Sequence, residues 1–138
     1  MKPVDVVIKE FYGVCKTIAP LKIVSVTWDF ENLAIIGDNW TFKTSSGWRI
    51  LNKEAMVYGS DDHEVVQVLE DLSNHAITEI KLQSSRFPID PVILFDNNQK
   101  LECFSLNKIQ SWSFFFPNGQ VFIASPGLIN LIHMENGK

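Results

Sequence analysis

The sequence predicts an α+β fold made of two similar units, each a helix followed by short antiparallel strands, related by a pseudo-two-fold axis. Three observations predict it. Shifting the chain by 54 positions lays Phe11, Tyr12, Val14, Cys15 and Ile18 on Val65, Val66, Val68, Leu69 and Leu72, and Ile23, Val26 and Trp28 on Ile77, Ile80 and Leu82. A shift of 64 lays Gly47-Trp48-Arg49-Ile50-Leu51 on Ser111-Trp112-Ser113-Phe114-Phe115, and Val57-Tyr58 on Val121-Phe122. Finally, helical spacing occurs twice, while the remaining apolar runs follow one another through short turns without helical crossovers, which favours antiparallel pairing. An internal repeat constrains architecture more than any single element does. The units cover about 4–58 and 61–124 of a single domain, 1–138, with about seven residues inserted near Ser84–Pro91 and about three before Trp112. At 46% hydrophobic residues, chance also matches apolar with apolar, so amphipathic periodicity is the competing explanation.

In chain order, Val4, Val7, Ile8, Phe11, Val14, Cys15 and Ile18 form one stripe of a helix over 4–18. Pro3 suits its first turn and Pro20 ends it. Leu21–Trp28 alternates as one strand, Leu33–Ile36 is a short apolar run closed by Gly37-Asp38-Asn39, and Trp40–Thr44 and Trp48–Ile50 alternate again. Asn52-Lys53-Glu54 reads as a turn into Ala55–Tyr58. The second unit opens with Asp61 as N-cap and Glu64 three residues on, the pattern of a capping box, with Ser60 as the other possible cap. Its helix is expected to reach about Ser73, burying Val65, Val66, Leu69 and Leu72. Strands follow over Ala76–Leu82, Val92–Phe95, Leu101–Ser105, Gln110–Phe116 and Gln120–Ala124. Asp96-Asn97-Asn98 and Pro117-Asn118-Gly119 supply turn chemistry between hairpin strands. That makes two helices and about ten strands, with Trp48 and Trp112 as equivalent core anchors.

Length and aromatic content support a sizeable core without metals or disulfides. The chain has 138 residues and sixteen aromatics. Cys15 and Cys103 lie in apolar settings and read as small buried hydrophobes in a reducing compartment. The N-terminus lacks the uninterrupted apolar stretch of a secretory leader, and no apolar run is long enough to span a bilayer, so a cytoplasmic location is expected. The net charge is −4 and only two of twelve cations are Arg, which disfavours nucleic acid as a partner. His63, His75 and His133 lack metal-ligand spacing with each other or with the cysteines, the serines at 45–46 and 84–85 show no nucleophile elbow, and the glycines are scattered singly. No catalytic residue, cofactor or metal site is expected, and the chain is not read as an enzyme.

Two features point to a partner surface. Asp61, Asp62, Glu64, Glu70 and Asp71 crowd a helix that carries no Lys or Arg. Such a run is usually a solvated face, and it can also attract a basic partner. In the loop Ser84–Pro91, Arg86 and Phe87 are residue types that anchor interfaces. The segments Trp40–Ile50, Gly59-Ser60-Asp61-Asp62, and Trp112-Ser113-Phe114 with Pro117-Asn118-Gly119 resemble a loose group of small, mostly uncharacterised bacterial proteins, some of which look like immunity proteins of toxins. The resemblance rests on Trp anchors and turns and carries no catalytic residues. It implies a small acidic cytoplasmic inhibitor that occludes the active face of a basic toxin domain. The other reading is a small-molecule pocket between the units, lined by Trp28, Trp40 and Phe42; a third is an oligomeric protein joined through strand edges.

Overall fold

A computed structural model describes residues 3–52, 57–60, 62–83, 89–104, 111–125 and 130–134. Helix α1 spans Val4–Ile18 and α2 spans Val65–Asp71, continued by a 3-10 turn over Leu72–Asn74. Among the described residues twelve strands follow in chain order: β1 Leu21–Lys22, β2 Ser25–Trp28, β3 Leu33–Ile36, β4 Thr41–Thr44, β5 Gly47–Leu51, β6 Val57–Gly59, β7 Ala76–Leu82, β8 Pro91–Phe95, β9 Lys100–Phe104, β10 Trp112–Phe115, β11 Val121–Ser125 and β12 Asn130–Met134. They form two six-stranded sheets, ordered β1-β7-β8-β9-β5-β6 and β2-β3-β4-β10-β11-β12, with every pairing antiparallel. The α+β class is therefore the one expected.

Neither unit builds a sheet of its own. The first sheet joins β7-β8-β9 of the second unit to β5-β6 of the first, and the second sheet joins β2-β3-β4 to β10-β11. Trp48 lies opposite Cys103 in one, and Trp112 opposite Thr44 in the other. Both tryptophans are buried, as are the matched pairs Phe11 and Val65, Cys15 and Leu69, and Ile23 and Ile77.

The chain passes between sheets after β4, at Ser45-Ser46. This crossing explains why the polar side chains of Thr44 and Ser46 are buried. Backbone that leaves a ladder must find other partners. Ser45 N–H donates to the Ser111 carbonyl at 2.9 Å, Ser111 N–H donates to Ser45 Oγ at 3.1 Å, and the hydroxyls of Thr44 and Ser46 share a hydrogen bond of 2.5 Å.

Three sequence expectations need correction. Leu21–Trp28 is two strands in different sheets: Ile23 N–H donates to the His75 carbonyl, while Val24 N–H donates to the Ile36 carbonyl, so the chain changes sheet between them. Strand β12 was not expected; it covers the outer edge of β11. The second helix starts at Val65, later than a cap at Asp61 or Ser60 requires. Asp62 Oδ2 instead accepts from Gly59 N–H at 2.7 Å and the Asp62 carbonyl accepts from Val65 N–H, so turns occupy the segment and Glu64 stands at the N-cap without a side-chain bond. Asp61 lies outside the described residues, as do the expected turn residues Lys53 and Glu54.

Aromatic rings fill much of the core. Phe11 of α1 meets the rings of Trp112, Phe116 and Phe122 at 5.8, 5.9 and 5.1 Å, and Phe114 stacks on Phe116 at 4.6 Å. Helix α1 packs on β12 and β7, whereas α2 packs on β2.

Candidate partner-binding surface

The buried side of α2 consists of Val65 and Leu69, continued by Leu72 in the following turn. Everything charged on this element points the other way. Asp62, Glu64, Glu70 and Asp71 are all exposed, and among the described residues none takes part in an ion pair. Asp71 Oδ1 accepts from Gln67 Nε2 at 3.0 Å, one turn back on the same helix. Val66, expected in the core, is 44% exposed and sits among these acids. The one-residue difference from Val65 sets it on the solvent side of a helix whose buried stripe is narrow. Asp61, Arg86 and Phe87 lie outside the described residues; of the loop containing the last two, Ile89 and Asp90 are buried and Pro91 opens β8.

Sequence reasoning missed a second exposed feature. Between β2 and β3, Phe30 is 67% exposed and has φ +71°. A left-handed backbone costs a non-glycine residue about 1–2 kcal/mol. The turn offsets this through Asp29, whose Oδ1 accepts from the N–H groups of Glu31 and Asn32 at 2.9 and 2.6 Å. These bonds hold the exposed Asp29 carboxyl below its usual range. The available sequence signal was the Asp that opens this four-residue turn, the residue type that bonds backbone two and three positions on.

The two thiols are buried, and His75 and His133 are engaged within the fold. Burial pushes the Cys15 thiol up to about 12 and raises the Cys103 thiol as well, with the Asp90 carboxylate reinforcing the effect at Cys103. Both stay protonated, the wrong form for a nucleophile or metal ligand. His75 Nδ1 meets Asp96 Oδ1 at 2.7 Å, and His133 bridges Glu10 Oε2 at 3.1 Å and Gln120 Oε1 at 2.6 Å. Among the described residues, no three His, Cys, Asp or Glu side chains converge in a way that could hold a metal ion. No described helix is long and apolar enough to cross a membrane.

Of the aromatics considered for a ligand pocket, Phe42 belongs to the core, and Trp28 and Trp40 border different depressions. The depression beside Trp28 is a cleft of about 520 Å³ on the outer face of the second sheet. No protein family matches the chain, and no curated protein or solved structure is significantly similar to it.

Proposed function

We propose that this chain is a non-enzymatic protein-binding module acting in the cytoplasm, an immunity-type inhibitor that lays its acidic second helix against the basic face of a toxin domain. One observation carries the reading. Four carboxylates on and beside α2 are exposed without a paired cation among the described residues, and an exposed valine lies in their midst. Charge of one sign around a small apolar contact is suited to fast encounter with a complementary surface. Arg86 and Phe87, with Asp61, complete the proposed contact set. The interleaved strand order also supports reading the two units as a duplication about a pseudo-two-fold axis.

The test compares the wild type with a variant in which Asp61, Asp62 and Asp71 become Asn and Glu64 and Glu70 become Gln. Each is used as bait in cells of native origin, and the association rate of a captured partner is then followed as salt is raised. The neutral variant should associate at least about tenfold more slowly at low salt, and the difference should shrink at high salt. Equal rates for both proteins would refute the acidic contact.

A further inference from the structure

We propose that the chain forms a two-fold dimer in which the Phe30 ring of each copy enters the cleft on the outer face of the other copy's second sheet. The projecting part is the β2–β3 turn. Its Asp29 bonds hold Phe30 in a left-handed conformation with the ring largely in solvent, backed by Trp28 at 5.6 Å. The receiving part is adjacent. Thr27, Ala34, Lys43 and Ser113 stand side by side on four neighbouring strands, Thr27 opposite Ala34, Ala34 opposite Lys43, and Lys43 opposite Ser113. Apart from Lys43 this row has only small side chains, so the sheet surface sinks there, and these residues line the cleft of about 520 Å³. The principal packing of helix α1 lies on β12 and β7, outside these four strands.

Charge identifies the occupant. Lys43 is exposed and makes no ion pair among the described residues, so the cleft offers a cation to an incoming carboxylate, and the small side chains around it leave room for a ring beside that carboxylate. The turn presents that combination: Phe30 followed by exposed Glu31. The Asp29 carboxyl also borders the cleft, but one of its oxygens is committed to its own turn. A projection and a recess side by side on one face are self-complementary under a two-fold rotation about an axis between them. The first sheet's outer face differs. There Arg49 and Lys100 both pair with Glu102, and Lys81 pairs with Glu79, within one molecule.

Sedimentation of the full chain from about 1 µM to about 1 mM should show a reversible monomer–dimer equilibrium. Phe30→Gly suits the left-handed backbone and removes the ring; it should weaken the dimer at least about tenfold without lowering the melting temperature at the dilute end of that range, where the monomer prevails. Lys43→Glu should weaken it too, and adding Glu31→Lys to that variant should bring the dissociation constant back to within about threefold of wild type. A chain that stays monomeric throughout, a dimer indifferent to Phe30→Gly, or a charge swap without recovery would each overturn the proposal.

Discussion

The two helices occupy matching places in the sequence and do different work. Helix α1 runs for fifteen residues and buries Val7, Phe11, Val14 and Cys15. It is also tied to both sheets by polar contacts. Tyr12 Oη accepts from Leu82 N–H at 2.8 Å in β7, and Glu10 reaches His133 in β12. Helix α2 runs for seven residues, buries Val65 and Leu69, and turns its acids to solvent. A stripe with the same spacing can thus anchor a core or merely support a charged surface, depending on how much of each side chain's area the tertiary partners remove from water.

The contrast is broken or sharpened by several substitutions. Phe11→Ala should cost about 3–5 kcal/mol of unfolding free energy in denaturant titration, because its cavity opens among the rings of Tyr12, Trp112, Phe116 and Phe122. Val65→Ala, at the matching position, should cost about 2 kcal/mol. Equal or reversed costs would erase the distinction between the helices. Trp112→Phe should cost about 1–2 kcal/mol beyond its volume change, since Trp112 Nε1 donates to the buried Ile89 carbonyl at 2.7 Å. Trp48→Phe loses no such bond, because its Nε1 has no acceptor among the described residues.

Glu10→Gln should remove on the order of 1 kcal/mol, a discounted value because Glu10 is partly exposed, and the loss should diminish when Gln replaces His133 as well. Neutralising Asp62, Glu64, Glu70 and Asp71 should change stability by less than about 0.5 kcal/mol, as measured by thermal melting. A large gain would mean that mutual repulsion on α2 is a real structural cost.

The thiols supply a pH dependence with a definite sign. Their folded-state values are raised above the unfolded one, so the native state retains the proton more strongly. The associated stability is complete below the unfolded value of 9.0 and declines as pH rises toward about 12. Alkylation at neutral pH should accordingly be slow in the folded protein and rapid in denaturant, as followed by intact mass. The exposed Asp29 behaves oppositely. Its contribution to the turn is present above the ordinary carboxylate range and is lost as acid protonates it, the smallest effect of the set and visible in the amide signals of Glu31 and Asn32.

Much of this was written in local sequence. The stripe from Val4 to Ile18, the alternation of Thr41–Thr44 and Gly47–Leu51, and the turns at Asp96-Asn97-Asn98 and Pro117-Asn118-Gly119 follow from side-chain periodicity and backbone preference, properties that neighbouring residues carry themselves. Asn98 and Gly119 adopt the left-handed conformation such turns require. The acids of α2 were visible for the same reason, and their exposure follows from the narrow stripe opposite them. Three things were decided only by tertiary structure. Leu21–Trp28 divides between sheets, the two units exchange strands, and Phe30 stands in solvent beside a recess floored by Lys43. Periodicity specifies which face of a strand is buried, but not which distant strand accepts its hydrogen bonds. Residues far apart in sequence settle that choice together, when the backbone groups of both sheets must all be satisfied around one shared core.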